Sequence, residues 1–394
     1  MKILLANKFY YYRGGAEVYV INLEKLLQEK GHEVAVFSMQ HSQNIHSSYS
    51  KYFPKEVDFT QIKIRDFFTY ITRPLGSKEV KDKFYRLINE FNPDVVHFNN
   101  IHSQLSPAIA KIAYKKGIKI VWTLHDYKML CPRYDCMRNG KTCDLCYFNK
   151  LQVIRHNCMK NNFLASILAY LEAVKWTRGK MEKYTDTFIC PSEFIKSKML
   201  AGGFNEEKLR VLHNFVSSME NNFADSKRED YYCYIGRISE EKGVETLLQT
   251  AQQLPYTLKI AGKGPLFDDL ESRYASDKIK FLGHVNKEEL KPLIEKARFS
   301  VIPSECNENN PLSGIESLFL GTPVLGANIG GIPELIEENI NGLLFESGNK
   351  ENLKNKIEEM FNSTFDYKDI AKKALKDYSS ENHYTSLMNI YHDK

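Results

Sequence analysis

The sequence predicts an α/β protein built from two parallel β-sheets, each covered by helices on both faces. Short runs of β-branched and other apolar residues alternate with segments of helical periodicity along most of the 394 residues. The apolar runs are continuous rather than alternating, which is typical of strands buried on both faces. The pattern restarts near Tyr231, so we expect two Rossmann-like halves.

In the first half, a strand begins at Lys2 and a helix is predicted over Ala16 to Lys30. Further strands are predicted in HEVAVFS, DVVHF, IKIVWTL, TFICPS and RVLHNF. Residues 49–86 and 131–184 fit this alternation poorly, and we interpret them as insertions or helical elaborations.

In the second half, strands are predicted in YYCYIGR, YTLKIAG, IKFLGHV, FSVIPS and TPVLGA, and a helix over Glu240 to Leu254. The polar run of residues 217–230 is the expected linker. We therefore expect one domain over residues 1–205 and another over residues 206–377.

The formal net charge of +5 is mildly basic. It is too small to indicate a nucleic-acid partner, but it is compatible with an anionic substrate or an anionic membrane surface. The N-terminal MKILLAN is too short for a secretory signal, and no apolar run approaches the length of a membrane-spanning helix. We expect a cytoplasmic protein, either soluble or bound peripherally at the inner face of the cell membrane.

A candidate anion site follows the strand in FSVIPS. Asn310 is expected to cap a helix whose first residue is Pro311 and whose last is Leu320. The free backbone N–H groups of Leu312 and Ser313 would then face an anion at the carboxyl end of the strand.

Two carboxylates flank the start of this helix: Glu308 precedes it and Glu316 lies in its second turn. A carboxylate accepts several hydrogen bonds and therefore suits the vicinal hydroxyls of a sugar. Acids near a helix N-terminus also favour the helix macrodipole, which accounts for one of the two. The macrodipole explanation leaves the other acid and the downstream GGIPE unexplained, so we interpret both glutamates as ligand-binding residues.

Two cations follow the first strand of the second half: Arg237 after a glycine, and Lys242 just before Gly243. Two cations in one strand-to-helix loop can hold a diphosphate and stabilise charge on a phosphate leaving group. The alternative is a pair of solvated loop cations. No acidic pair is placed to hold a divalent ion, and we expect no catalytic metal.

In the first half, Gly14 and Gly15 precede a helix, where a glycine pair exposes backbone N–H groups and lets a phosphate approach closely. His125 and Asp126 follow the strand in IKIVWTL, at the end where ligand-contacting residues lie. His125 is a candidate for a ligand contact, although a histidine satisfied by local backbone is the commoner situation. Asp126 is the weaker candidate.

Five of the eight cysteines lie between residues 131 and 158. Cys131, Cys143, Cys146 and Cys158 could form a tetrahedral structural zinc site, because Cys143 and Cys146 are a tight pair with the other two twelve residues outside it. Reduced thiols or an occasional disulfide are the alternatives, and Cys136 is left over from the zinc set.

Several motifs resemble retaining GT-B glycosyltransferases of family four: GRISEEKG, IAGKGP, FLGHV, PSECNENNPLSGIESLFLGTPVLG and GGIPELI, in that order. The spacing of Glu308 and Glu316 matches the E-x7-E motif of that family. The resemblance implies two Rossmann-like domains facing a central cleft, the first binding the acceptor and the second the nucleotide sugar. It also implies that the last helix, about residues 378–394, packs back on the first domain.

The resemblance also implies a role for each candidate residue. Glu308 would contact the donor sugar and Glu316 the ribose hydroxyls. Arg237 and Lys242 would bind the diphosphate. The glycine pair of the first half would lie at the donor phosphates, and His125 against the donor sugar. The chain has ENNP where the family often has EGFG, which leaves the identity of the donor sugar open.

Two stretches combine aromatic, aliphatic and basic residues and are candidates for acceptor contacts: FFTYITRPLG and FLASILAYLEAVKWTRGKMEKY. The second has a helical apolar face and a basic end. Such a helix either lies on an anionic membrane surface or packs its apolar face against the domain, and packing is the commoner arrangement.

The expected reaction moves a sugar, with retention of its anomeric configuration, from a nucleotide diphosphate sugar to a saccharide or lipid-linked saccharide. Cell-surface polysaccharide synthesis is the expected setting. The alternatives are a nucleotide-sugar epimerase, a phosphorylase and a non-catalytic subunit that binds nucleotide sugars. An epimerase would need dedicated acid and base carboxylates, a phosphorylase a lysine-bound pyridoxal phosphate, and a binding subunit would show no turnover.

Overall fold

The computed structural model describes residues 1–59, 67–159, 161–216 and 227–393. The chain forms two compact units, the first comprising Met1–Leu212 with Tyr384–Lys394 and the second comprising His213–His383. The boundary thus follows Leu212 rather than residue 205, and the chain returns to the first unit at Tyr384. Most of the expected linker, residues 217–230, lies outside the described residues.

The first unit contains a parallel sheet and a short hairpin. Its strands are β1 (Lys2–Ala6), β2 (Glu33–Phe37), β3 (Val95–Phe98), β4 (Lys119–Thr123), β5 (Met137–Arg138), β6 (Lys141–Thr142), β7 (Thr187–Cys190) and β8 (Leu209–Val211). Its helices are α1 (Gly15–Glu29), α2 (Phe67–Thr72), α3 (Lys78–Phe91), α4 (Ala108–Lys115), α5 (Gln152–Arg155), α6 (Phe163–Lys175), α7 (Arg178–Tyr184) and α8 (Glu193–Ala201).

The sheet order of the first unit is β2-β1-β3-β4-β7-β8, with every pair parallel, while β5 and β6 form the separate antiparallel hairpin. Consecutive residues such as Ile3, Leu4 and Leu5 are all buried, as the continuous apolar runs predict for strands covered on both faces. The chain order of the strands changes direction between β1 and β3, which makes this place a topological switch point.

The second unit contains a second parallel sheet. Its strands are β9 (Tyr231–Ile235), β10 (Thr257–Ala261), β11 (Ile279–Gly283), β12 (Ser300–Ile302), β13 (Val324–Ala327) and β14 (Gly342–Phe345). Its helices are α9 (Val244–Ala251), α10 (Phe267–Tyr274), α11 (Lys287–Glu295), α12 (Leu312–Phe319), α13 (Lys350–Asn362) and α14 (Tyr367–Tyr378). The sheet order is β11-β10-β9-β12-β13-β14, so the switch point lies between β9 and β12. Strand β14 was not predicted.

The helix predicted over Glu240 to Leu254 is interrupted at Gly243. A single 3-10 turn over Glu240–Lys242 precedes α9, and Gly243 between them has a φ of 64°. A Cβ at this position would overlap the carbonyl oxygen of Pro303. Glycine is therefore required both by its left-handed backbone and by close approach to the chain that leaves β12.

The stretch FLASILAYLEAVKWTRGKMEKY forms α6 and α7, and the interpretation that its apolar face packs against the domain is wrong for α6. Ser166, Ala169 and Glu172 are the buried residues of α6. Leu164 and Leu171 are 71% and 39% exposed. The apolar side of this helix therefore faces solvent. In the described ranges of the chain, no helix has both the length and the apolar character needed to cross a membrane.

The last helix, α15 (Ser380–His392), begins in the second unit and enters the first at Tyr384. Near its end, Tyr391 is buried and its hydroxyl makes a 2.7 Å hydrogen bond with His97 Nδ1. His97 Nε2 makes a second bond, also of 2.7 Å, with Thr123 Oγ1. This buried chain of hydrogen bonds attaches the end of α15 to β3 and β4.

Candidate active site

The candidate residues of the second unit lie at the carboxyl ends of two neighbouring strands. Arg237 and Lys242 follow β9, and Glu308 follows β12, which pairs with β9 in the sheet. These strands flank the switch point, where open α/β sheets bind ligands. These residues were predicted at strand ends, and the strand order brings the two ends next to each other.

An ion pair joins the two loops, because Lys242 Nζ donates to Glu308 Oε1. Ser304 Oγ donates to the same carboxylate oxygen at 2.9 Å. Burial raises the pKa of Glu308, but the Lys242 ammonium and the Ser304 hydroxyl outweigh burial and lower it below its usual value. Burial likewise opposes the charge of Lys242, yet the Glu308 carboxylate raises the pKa of that lysine. Both groups are therefore charged at neutral pH.

The glycine pair of GGIPE holds the main chain of Glu308 in place. Gly331 N donates to Glu308 O at 2.6 Å. Gly330 has a φ of 65°, and a Cβ there would overlap the same carbonyl oxygen. The glycine pair thus has a structural role at this loop, which explains the part of GGIPE that the helix macrodipole leaves unexplained.

The expected capping role of Asn310 is wrong. The N-cap of α12 is Pro311, with no side-chain cap hydrogen bond, and the helix begins at Leu312. Asn310 Oδ1 instead accepts from Asn214 N at 2.8 Å, and Asn310 O accepts from Asn214 Nδ2 at 2.8 Å. Asn310 is buried, so its amide anchors the loop before α12 on a segment far away in sequence.

The start of α12 provides backbone donors beside this loop. The N–H groups of Leu312 and Ser313 have no acceptor among the described residues, as expected for the first turn of a helix. Glu316 lies in the next turn and is partly buried. Arg237 is exposed, and its guanidinium forms no ion pair within the part of the chain that the structure describes. The N–H groups of Leu312 and Ser313 and the guanidinium of Arg237 are available to an anionic ligand.

In the first unit, polar residues also gather at the switch point. Asn100 N, after β3, donates to Oδ1 of Asn7, which follows β1, at 3.0 Å. Asn7 Nδ2 lies 3.5 Å from Glu17 Oε1, and burial raises the pKa of this glutamate. Helix α1 begins at Gly15, and Gly14 is extended with a φ of −160°. The exposed glycine pair therefore opens the first turn of α1 without needing a left-handed conformation.

His125 follows β4 and is held by Asn99. His125 Nε2 makes a 2.8 Å hydrogen bond with Asn99 Oδ1, and its ring packs edge-on against Tyr19 with the centroids 5.0 Å apart. Because an amide oxygen only accepts, Nε2 carries the proton. Burial lowers the pKa of His125 to about 4, so the imidazole is neutral at physiological pH. Asp126 Oδ1 accepts from Lys128 N at 2.9 Å, which gives Asp126 a local structural role.

Sequence reasoning missed three of these supporting residues: Ser304, Asn214 and Asn99. Ser304 and Asn99 each lie within two residues of a strand's carboxyl end, the signal that would have identified them. No local signal points to Asn214, because its partner Asn310 is contacted only in the folded chain.

The cysteine cluster does not provide a formed metal site. In the described ranges, no three His, Cys, Asp or Glu side chains form a group that could hold a metal ion. Cys131 has a thiol hydrogen bond with Cys136, which lowers the pKa of Cys131 to about 6. The described residues thus show no assembled ligand group at Cys131, Cys143, Cys146 and Cys158, and the zinc site stays a prediction for metal analysis.

Models of two protein families match the chain. The model described as "Glycosyltransferase Family 4" matches residues 13–218. The model described as "Glycosyl transferases group 1" matches residues 218–377. The two matches follow one another along the chain and together span most of it.

Individual proteins are similar over different lengths. A protein described as "Uncharacterized 42.6 kDa protein in cps region" of Klebsiella pneumoniae is 27% identical over 357 residues, 85% of this chain and 87% of that protein. The O-antigen biosynthesis glycosyltransferase WbnH of Escherichia coli is 29% identical over 218 residues, 53% of this chain and 62% of that protein.

Two solved structures share the fold over nearly the whole chain. Sucrose-phosphate synthase from Thermosynechococcus elongatus has a TM-score of 0.70 at 18% identity, covering 99% of this chain and 98% of that one. Anabaena HepE in complex with UDP-glucose has a TM-score of 0.65 at 18% identity, covering 99% of both chains. The two parallel-sheet halves therefore form the GT-B fold.

Proposed function

The chain belongs to glycosyltransferase family 4 and is a glycosyltransferase, and we propose that it uses a nucleotide diphosphate sugar and retains the anomeric configuration. The proposed acceptor is a saccharide or lipid-linked saccharide of a cell-surface polysaccharide, at the inner face of the cell membrane. We further propose that the first unit binds the acceptor and the second unit the donor.

The observation that carries this proposal is the Lys242–Glu308 ion pair at the switch point of the second sheet. A nucleotide diphosphate sugar presents negative charge next to hydroxyl groups, and this place offers a cation next to a carboxylate. The free N–H groups that begin α12 add an anion-binding helix terminus. The exposed Arg237 supplies a second cation.

Each group has a part in binding the donor. Lys242, Arg237 and the N–H groups of Leu312 and Ser313 hold the diphosphate. Glu308 is kept ionised by Lys242, so it accepts hydrogen bonds from hydroxyls of the donor sugar. Glu316 accepts from the ribose hydroxyls.

The first unit has two candidate features of its own. His125 is neutral, and it orients a sugar hydroxyl by hydrogen bonding without adding positive charge. The exposed N–H groups at Gly14 and Gly15 approach a phosphate.

In the proposed reaction, the bond between the anomeric carbon and the diphosphate oxygen breaks. The acceptor hydroxyl attacks from the face that the diphosphate leaves, and its proton passes to the departing phosphate. Arg237, Lys242 and the start of α12 stabilise the charge that develops on the diphosphate. These groups take the part that a divalent ion plays in other transferases, so we propose a metal-independent reaction.

The comparisons favour this donor and setting. HepE, a fold neighbour, was solved in complex with UDP and with UDP-glucose. The relative WbnH is described as an O-antigen biosynthesis enzyme, which favours a surface polysaccharide as the product. A uridine diphosphate sugar is accordingly the first donor to test.

The test is a panel of labelled nucleotide sugars offered to the purified chain, with binding followed by thermal shift and products by chromatography. The expected result is one preferred donor that yields free nucleotide and, with lipid-linked saccharide, a labelled glycoside. An epimerised nucleotide sugar would instead support the epimerase alternative. Tight binding with no turnover on any acceptor would support the binding-subunit alternative.

A further inference from the structure

Helix α6 presents an apolar stripe to solvent. The stripe recurs every three or four residues, so its side chains lie on one side of the helix. Its members are Leu164, Ile167, Leu168, Leu171 and Val174. Ile167 and Leu168 are half-buried, while the other three are exposed. An ordinary surface helix has the opposite arrangement, with its polar side outward.

Buried polar contacts hold α6 in this orientation. Glu172, on the inward side, accepts from Ser103 N at 2.6 Å and pairs with Lys128 Nζ at 3.2 Å. Glu172 is almost fully buried, and turning the helix to bury its leucines would expose this pair or leave it unpaired. The apolar stripe is therefore fixed toward solvent.

Aromatic side chains near α6 add to the exposed apolar surface. Phe163, the first residue of α6, is 58% exposed, and Phe148, in the loop before α5, is 79% exposed. Helices α5 and α6 are in contact, and Cys146, Val153 and Ala169 form a small buried hydrophobic cluster there.

The charge of this region is positive. Between Leu151 and Tyr184 the chain carries six lysines or arginines and two glutamates, one of them the buried Glu172. Lys175, Lys180 and Lys183 are exposed at the end of α6 and in α7. A solvent-facing apolar stripe with basic residues beside it matches the surface of an anionic bilayer, where the apolar side enters the acyl boundary and the cations meet the head groups.

We propose that α6 is an interfacial helix, and that its Leu164–Leu171–Val174 stripe and the basic residues that follow it bind the surface of an anionic lipid bilayer. The proposal identifies the surface of the chain that would contact the membrane at the location proposed above. The membrane proposal rests on the proposed function in one respect: it implies that the lipid part of a lipid-linked acceptor lies close to the first unit. The residues that carry it lie outside the donor site.

The test is cosedimentation of the full chain with vesicles of phosphatidylglycerol and phosphatidylcholine, and with vesicles of phosphatidylcholine alone. The wild type should bind the anionic vesicles, less tightly at high salt. Leu164→Glu with Leu171→Glu should weaken this binding by about tenfold or more, because two apolar contacts become like-charge repulsions. If the glutamate double variant does not fold, the double variant Leu164→Ser with Leu171→Ser is used in its place. Leu282→Glu, which changes a leucine of β11 that is 42% exposed, is the matched control and should bind as the wild type does.

Two outcomes would overturn the proposal. One is a wild type that ignores anionic vesicles, or a double variant that binds them as well as the wild type. The other is a concentration-dependent dimer in sedimentation velocity that the double variant abolishes, since a second copy of the chain would then cover the stripe. Nucleotide binding and donor turnover without vesicles are measured on the same samples. Vesicle binding without any turnover would contradict the proposed function and leave the membrane proposal supported.

Discussion

Lys242 and Glu308 form an ion pair across the switch point of the second sheet, and Ser304 donates to the same carboxylate oxygen of Glu308. The two residues are 66 positions apart in the chain, so the pair joins the loop after β9 to the loop after β12. The ion pair keeps an ammonium and a carboxylate ionised side by side at the switch point, where open α/β sheets bind ligands.

The cations should control turnover. Lys242→Ala and Arg237→Ala each remove a positive charge from the proposed diphosphate site, and the loss of one preorganised stabilising group costs about 10²–10³ in kcat. Lys242→Ala should also lower the unfolding midpoint, because Glu308 loses its partner, whereas Arg237→Ala should not. Lys373→Ala, which removes the exposed pair with Glu337 in the same unit, is the control for both measurements. Wild-type kcat in folded Lys242→Ala and Arg237→Ala would eliminate the diphosphate role.

Glu316 should contribute to nucleotide binding. Hydrogen bonds to a charged group are worth about 1.5–3 kcal/mol, so Glu316→Ala should raise the Kd for the nucleotide by roughly 10- to 150-fold in titration calorimetry. Glu351→Ala removes an exposed acid from the first turn of another helix, α13, and is the control that should bind the nucleotide as the wild type does. If both variants bind the nucleotide as the wild type does, the ribose assignment is wrong.

His125 should make stability depend on pH. Burial lowers its pKa in the folded chain from 6.5 to about 4. As the pH falls between these two values, the unfolded chain takes up a proton at this residue that the folded chain does not, so the free energy of unfolding decreases. In His125→Gln this contribution disappears, and urea titrations at pH 7 and pH 5 should show a smaller loss than in the wild type. An equal loss in both proteins would mean that His125 is not held neutral.

Metal analysis tests two further expectations. A metal-independent reaction should keep its rate in EDTA, and loss of activity that magnesium or manganese restores would contradict it. The zinc site predicted from sequence requires about one zinc per chain in protein purified without chelator. An absence of zinc would instead favour reduced thiols, in agreement with the contact between Cys131 and Cys136.

Most of the fold could be predicted because its signals are local. A strand buried on both faces needs a continuous apolar run, as in Ile3, Leu4 and Leu5, and this pattern is visible without knowing any partner. The candidate residues Arg237 and Glu308 could be found for the same reason, since each follows such a run. Strand β14 was missed because GLLF is short and directly follows the polar stretch EENIN.

The remaining features depend on partners that are distant in sequence. The amide of Asn310 caps no helix because Asn214, 96 residues away, donates to it. Gly243 interrupts the predicted helix because the carbonyl of Pro303 approaches it. The buried pair of Glu172 with Lys128 determines which side of α6 faces the domain. This pair outweighs the usual preference for burying leucines. None of these contacts produces a periodic pattern in the sequence that could have predicted it.

The anomeric configuration of the product is the most direct test of the proposal that the acceptor attacks the anomeric carbon from the face that the diphosphate leaves. The preferred α-linked nucleotide sugar is incubated with the wild-type chain and an acceptor, and the anomeric coupling of the product is read by NMR. We expect an α-linked glycoside. A β-linked glycoside would contradict the mechanism, because it requires attack from the opposite face with a general base behind the acceptor, and His125 would then have to be examined in that role.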